Sequence, residues 1–203
     1  MAEPVAQRSR KRRLDAERSR GAVLDAAITV LGRQTDASIE DIAAAAGVVR
    51  QTVYAHFPSR TALLAAVVDH LTAETASVLG ALDLTTPPPG EALRRWLEAS
   101  WAIVKRYPVL LSPIIADAAP PADKHDLHQP VTTRLSELVR RGRQAGVFEA
   151  RYSEDWMISA TIALGHAAGR QVTAGRMGPD EAGAAYRDSV LRLVLSQPLT
   201  KEG

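Results

Sequence analysis

The chain contains no cysteine and few aromatic residues, and its positive and negative charges nearly cancel. Among 203 residues, aromatic side chains make up 4% and the formal net charge is +2. The lack of cysteine excludes disulfide scaffolds, thiol catalysis and cysteine-based zinc sites, and it fits a reducing compartment. Because aromatic residues are scarce, the core must consist of Leu, Val, Ile and Ala, which favours helices over a β-sandwich.

Signals of membrane insertion, export and catalysis are also missing. No uninterrupted apolar run approaches the ~18 residues of a membrane span, and no apolar stretch directly follows the basic N-terminus as it would in a signal peptide. The sequence contains no Walker loop, dinucleotide glycine fingerprint, Gly-x-Ser-x-Gly or HExxH motif. We therefore expect a cytoplasmic protein that contacts no membrane, with no catalytic residue, metal or cofactor.

The periodicity of apolar residues predicts about nine helices and no strand. Gly and Pro punctuate the pattern, most clearly at 85–90. The predicted helices span residues 18–33, 38–46, 50–57, 60–82, 91–106, 109–117, 126–145, 153–174 and 179–197. This pattern predicts an all-α fold with a flexible basic arm at 1–17, a small domain at 18–64 and a larger helical domain at 65–203.

The stretch 38–60 has the pattern of two short helices joined by a tight turn. Ser38 and Asp41 resemble a capping box that begins the first helix. Gly47 ends that helix, since glycine readily adopts the left-handed backbone of a helix terminus. A second helix beginning at Arg50 completes the spacing of a helix-turn-helix, with Val53 directed toward the first helix.

At these residues the chain resembles the TetR family of helix-turn-helix transcriptional regulators. The resemblance covers residues 18–68, and the positions in register are Val23 to Ala27, Ser38, Ile42-Ala43, Ala46-Gly47-Val48, Thr52-Val53-Tyr54, His56-Phe57, Arg60 and Leu63-Leu64. Two positions depart from the family pattern. Val49 stands where an N-capping Ser is usual, and Gln51 replaces a residue that is often Gly.

The resemblance implies that the second short helix enters the major groove of double-stranded DNA. Arg50 and Gln51 are then the expected base readers, because Arg pairs with guanine and Gln with adenine. The expected DNA-binding set, which includes the residues that hold the phosphate backbone, is Arg50, Gln51, Thr52, Tyr54, His56, Arg60 and Ser38. The basic run 8–13 either enters an adjacent minor groove, adds nonspecific affinity or is a solvated tail.

For the larger domain, the resemblance implies a pocket for a small-molecule effector and a homodimer interface. The expected ligand-binding residues are Trp96, Ser100, Trp101, Val104, Leu111, Ile115, Leu135, Trp156, Ser159 and Ile162, a lining suited to a largely apolar molecule. The expected interface residues are Ala160, Leu164, Ala167, Ala168, Tyr186, Val190, Leu193 and Val194. An ordinary core within one chain would show the same pattern, and the residues alone leave both interpretations open.

These features together predict a repressor that binds a palindromic operator as a dimer and is released by its effector. A transcriptional activator and a ligand-independent DNA-binding protein are the alternatives. The weakest alternative is a metal-dependent enzyme that uses His125, Asp126 and His128, since two imidazoles and a carboxylate are suitable zinc ligands.

Overall fold

The computed structural model describes residues 3–112 and 129–196, and these ranges form eight α-helices joined by turns and loops. The eight α-helices are α1 (Glu3–Arg33), α2 (Ile39–Ala45), α3 (Arg50–His56), α4 (Arg60–Gly80), α5 (Pro89–Arg106), α6 (Gln129–Gln144), α7 (Glu154–Thr173) and α8 (Pro179–Val194). A 3₁₀ turn at Pro108–Leu111 follows α5. The described residues form no strand, only an isolated bridge between Phe148 and Leu195. The all-α prediction is confirmed.

Side-chain caps and prolines define where the longer helices begin. The Ser59 hydroxyl accepts a hydrogen bond from the Ala62 amide at 3.0 Å in front of α4, and the Ser153 hydroxyl accepts from the Trp156 amide at 3.2 Å in front of α7. Pro89 and Pro179 lie in the first turns of α5 and α8, where a missing N–H costs no hydrogen bond. These local signals explain why most predicted helix starts lie close to the observed ones.

The flexible arm predicted at residues 1–17 is wrong for residues 3–17. They continue α1 toward the N-terminus, so that this helix is 31 residues long. The segment has no glycine, its one proline is in the first turn, and Arg, Lys, Ala, Leu and Glu all favour helix. The side chains described along residues 12–18 are exposed, which explains the missing apolar periodicity.

Two hydrophobic cores divide the structure into a head and a body. We use "head" for the unit built by α1 to α4 and "body" for the unit built by α5 to α8 with the end of α4. The head core extends along α4 to Leu71 and includes Val109 from the 3₁₀ turn. The body core contains Leu79 from the end of α4. The boundary predicted after residue 64 therefore lies inside the head core.

The helix α4 is long and apolar enough, by length and composition, to cross a membrane. Its apolar stripe, however, is buried in the head core, where Leu63, Val67 and Leu71 are at most 1% exposed. This is the arrangement of a core helix that supports its neighbours.

Close approach of α5 to α8 depends on a glycine. A Cβ atom at Gly183 would lie 2.3 Å from the indole nitrogen of Trp101, and that nitrogen donates a hydrogen bond to the Pro179 carbonyl at 3.0 Å. The Trp101 ring also packs against Tyr186, with 5.9 Å between centroids. Trp101 therefore fixes α5 on α8.

Candidate nucleic-acid interface and effector site

The first helix of the helix-turn-helix, α2, begins at a reciprocal cap. The Asp41 amide donates to the Ser38 hydroxyl at 3.1 Å, and the Ser38 amide donates to the Asp41 carboxylate at 2.8 Å. These hydrogen bonds with Ser38 lower the pKa of Asp41. The capping box is confirmed, and it occupies the Ser38 hydroxyl. A DNA contact by Ser38 stays a prediction.

The turn between α2 and α3 is tight, and it presses α3 against α2. Gly47 has a φ of 67°, which is strained for residues with a Cβ. The Val48 amide closes the turn on the Ala43 carbonyl at 3.0 Å. Ile42 and Val53 are fully buried between the helices. Val49 caps α3 without a side-chain hydrogen bond, as its departure from the family pattern predicts.

The outer face of α3 presents polar side chains. Arg50 and Gln51 are exposed, whereas Thr52, Tyr54 and His56 are half-buried. Base readers must reach into a groove and backbone contacts lie at its rim, so this gradient of exposure suits the predicted division of labour. The contacts of these individual residues with DNA stay predictions.

The Arg50 side chain joins a cluster that the sequence analysis missed. It forms an ion pair with Glu40 of α2, and its Nη2 donates to the Tyr54 hydroxyl at 3.4 Å. The guanidinium carbon lies 5.3 Å from the Tyr54 ring centroid. The Tyr54 hydroxyl and then the charge of Glu40 raise the pKa of Arg50. Glu40 precedes Arg50 by ten residues on another helix, so no helical spacing pointed to it.

Two other predicted phosphate-binding residues have partners inside the head. The His56 Nε2 lies 3.1 Å from the Ser19 hydroxyl of α1. Arg60 donates from Nη1 to the Ala37 carbonyl at 2.5 Å. Both side chains thus brace the helix-turn-helix against its surroundings in the free protein. Nothing in the sequence marked Ser19 for this role.

The structure brings together part of the predicted effector site. Trp96, Trp101 and Leu135 are buried in the body core, and Val104 and Ile162 pack against it. Ser100 is half-buried, and its hydroxyl donates to the Trp96 carbonyl at 2.5 Å. The indole nitrogen of Trp96 is buried and has no hydrogen-bond acceptor in the part of the chain that the structure describes.

Trp156 and Ser159 do not join this cluster. Both lie on the exposed face of α7, and Trp156 is 56% exposed. They are therefore removed from the proposed effector site, because α7 turns its opposite face to the core. Ile115 and the side chain of Leu111 lie outside the described residues.

Half of the predicted dimer interface is buried within the chain itself. Ala168, Tyr186, Val190 and Val194 belong to the body core, where burial raises the pKa of Tyr186. Packing among α5, α7 and α8 covers these four side chains within one chain, and their contact with a second copy stays a prediction. Ala160, Leu164, Ala167 and Leu193 are half-buried, so they remain the candidates for contact with a second copy.

The His125, Asp126 and His128 cluster lies outside the described residues. Within residues 3–112 and 129–196, no group of three or more His, Asp or Glu side chains is placed to hold a metal ion.

A link between body and head follows the end of α5, and no local pattern in the sequence marks it. The Tyr107 hydroxyl donates to the Glu74 carboxylate of α4 at 3.1 Å, and Arg106 forms an ion pair with the same oxygen at 3.1 Å. Val109 then inserts into the head core beside Gly32 of α1. Tyr107 and Leu110 pack against both cores.

The head, with its tight turn between α2 and α3 and its exposed α3, has the architecture of a helix-turn-helix protein. Residues 23–67 match the family model described as "Bacterial regulatory proteins, tetR family". Residues 23–67 thus carry a helix-turn-helix of the TetR family of transcriptional regulators.

The likeness to individual proteins extends over more of the chain than the family model. Over 83 residues the chain is 45% identical to the HTH-type transcriptional repressor LfrR of Mycolicibacterium smegmatis, a match that spans 41% of this chain and 44% of that protein. It resembles the crystal structure of LfrR from Mycobacterium smegmatis in complex with proflavine, with 29% identity, 89% of this chain and 98% of that chain covered, and a TM-score of 0.68. The regulator PfmR from Thermus thermophilus shares the fold at 23% identity, 84% and 97% coverage and a TM-score of 0.68.

Proposed function

We propose that this protein is a transcriptional repressor that binds a palindromic operator as a homodimer and is released by a small, largely apolar effector. The observation that carries the proposal is the exposed polar face of α3 on a head whose core receives Val109 from the body. Because the relative LfrR is a repressor, we favour repression over activation. This function places the protein in the cytoplasm.

A homodimer is proposed because one copy of α3 is too short to specify a site. The helix has seven residues, and two copies one DNA turn apart, about 34–36 Å, read twice as many bases. The exposed side of α7 is the proposed interface. Trp156 there is 56% exposed, and the half-buried Ala160 and Ala167 allow a partner helix to approach closely.

The proposed effector site lies around Trp96. A buried N–H without an acceptor costs about 1–3 kcal/mol, so an effector that accepts a hydrogen bond from the Trp96 indole would recover this energy. The surrounding body core is apolar. Proflavine is the first compound to test, because the LfrR structure at 29% identity holds it.

The proposed signal runs along α5 into the head. An effector beside Trp96 would displace α5, and the Tyr107–Glu74 hydrogen bond with the buried Val109 would pass the shift to α4 and α1. A hundredfold loss of operator affinity requires about 2.7 kcal/mol of coupling, which is within the usual range. The shift would change the spacing of the two recognition helices.

The DNA-binding roles are tested by selecting bound sequences from a random duplex pool and then measuring variants on the selected operator. Arg50→Ala should flatten the preference at one base position of each half-site, whereas Tyr54→Phe should weaken binding to all sequences alike. Arg95→Ala removes the same charge from the exposed face of α5 and is the matched control. Equal effects of Arg50→Ala and Tyr54→Phe on every sequence would contradict this division.

The effector role is tested by titrating proflavine into the complex of protein and operator. Because proflavine also intercalates into duplex DNA, its binding to the protein alone is measured beside the release of the operator, and both are expected for the wild type. At neutral pH proflavine is a cation with N–H donors and no good acceptor, so Trp96→Phe, which keeps an aromatic ring and removes the N–H donor, should weaken the response to acceptor-bearing analogues and not to proflavine. Unchanged operator affinity at saturating proflavine would refute this effector class while leaving DNA binding intact.

A further inference from the structure

An exposed ion pair crosses the helix-turn-helix at the surface expected to face DNA. Glu40 lies in the first turn of α2, and Arg50 is the first residue of α3. Their side chains are 54% and 59% exposed, and the Arg50 guanidinium lies over the Tyr54 ring. Because exposed ion pairs contribute little to stability, stability alone does not account for this arrangement.

Arg50 also occupies an electrostatically unfavourable position. The N-terminus of a helix carries the positive end of the macrodipole, which disfavours a cation, and Val49 supplies no capping oxygen. The neighbouring Asp41 carboxylate is engaged with Ser38. Glu40 is the carboxylate that meets the Arg50 guanidinium, so the orientation of this side chain depends on Glu40 and on the aromatic ring of Tyr54 beneath it.

We propose that Glu40 is a positioning residue that determines DNA specificity by holding Arg50 in a base-reading orientation and penalising contacts between Arg50 and phosphates. The inference rests on the proposed function. A guanidinium carries five N–H donors, and Glu40 and Tyr54 engage only Nη1 and Nη2. The remaining N–H groups of Arg50 can therefore donate to a guanine edge while Glu40 is still paired.

The penalty arises when Arg50 turns away from Glu40. In a complex with the wrong sequence, Arg50 finds no guanine and is drawn to a phosphate. The Glu40 carboxylate is then left unpaired beside the anionic backbone, where like charges repel. An unpaired charge in the wrong complex lowers its affinity without affecting the right one. Glu40 thus improves discrimination at the expense of nonspecific affinity.

The test compares Glu40→Gln with the wild type on the selected operator and on random duplex DNA. We expect Glu40→Gln to bind random DNA several times more tightly and to lose about tenfold in the ratio of operator to random affinity. The salt dependence on random DNA should steepen by about one unit of slope, as for one additional phosphate contact. Glu91→Gln, which disrupts the exposed ion pair with Arg95 on α5, makes the same charge change and should alter neither quantity.

A double-mutant cycle separates positioning from support of α3. Glu40→Gln should flatten the same base position as Arg50→Ala, and combining the two substitutions should flatten it no further. If Glu40 only stabilised α3, Glu40→Gln would weaken operator and random DNA by the same factor and keep the base preference, which would overturn the proposal. If the wild-type chain selects no sequence at all, the proposed function fails, and this inference fails with it.

Discussion

The head carries its candidate functional residues on its surface, whereas the body carries them inside its core. In the head, a mainly aliphatic core with Phe57 as its buried ring supports α3, whose polar residues face outward. In the body, the rings of Trp96, Trp101 and Tyr186 are themselves part of the core. A binding site on the surface can be recognised in the sequence as a polar pattern on one helix. A binding site inside the core is lined by the same apolar residues that any core requires, so the sequence does not distinguish the two.

The largest expected effect concerns the support of α3. Ile42→Ala should lower the free energy of unfolding by about 2–5 kcal/mol, because it leaves a cavity at a fully buried position between α2 and α3. Denaturant unfolding measures the loss, and operator affinity should fall with it. Val49→Ala, at a position 67% exposed beside the same turn, should change stability by less than about 0.5 kcal/mol. Similar values for both variants would contradict the packing described for the head.

The corresponding test in the body adds a methyl group at Gly183, where the Trp101 ring packs against the backbone of α8. Gly183→Ala should destabilise the protein by about 1–3 kcal/mol, because the added Cβ meets the indole ring. The base preference should not change, since the outer face of α3 is untouched. Gly21→Ala is the matched control: no atom lies within 4 Å of the added Cβ in α1, and higher helix propensity should stabilise by about 0.5–1 kcal/mol. A stabilising Gly183→Ala would refute the close approach of α5 and α8.

The smallest expected effect concerns the cap of α2 and its response to acid. Ser38→Ala should cost about 1 kcal/mol, the usual loss of an N-cap, whereas the exposed Ser189→Ala should be nearly neutral. Because the pKa of Asp41 is lowered from 3.8, its contribution is complete above pH 3.8 and is lost as the pH falls below that value. The difference in unfolding free energy between wild type and Asp41→Asn should therefore shrink below pH 3.8. A difference that does not depend on pH would exclude the cap as its source.

Much of the fold follows from local signals in the sequence. Ser38, Gly47, Ser59 and Ser153 each act on the backbone within three residues of themselves, so their effects can be predicted without tertiary structure. Residues 3–17 were missed because apolar periodicity reports a buried face, and this part of α1 exposes the side chains described there. Helix propensity was the better indicator in that segment.

The candidate sites show the same difference between features set by local sequence and features set by tertiary packing. Exposure of Arg50 and Gln51 follows from the helix-turn-helix spacing, whereas the pairing of Arg50 with Glu40 depends on how two helices meet. In the body, Trp156, which was expected in the effector site, is exposed, and Tyr186, which was expected at the dimer interface, is buried in the core. Apolar patterns on α7 and α8 did not reveal which side faces the same chain and which faces solvent. The contact between Tyr107 and Glu74, 33 residues apart, has no local pattern.

The insertion of Val109 into the head core determines how the two units can be exchanged between proteins. A chimaera cut after α4 would separate the head from a side chain that fills its interior. A transplanted head would therefore need the host's own segment after α5 redesigned to resemble residues 107–110. Such a hybrid regulator would inherit its response to ligand through a short segment that is remote from its DNA-binding sequence.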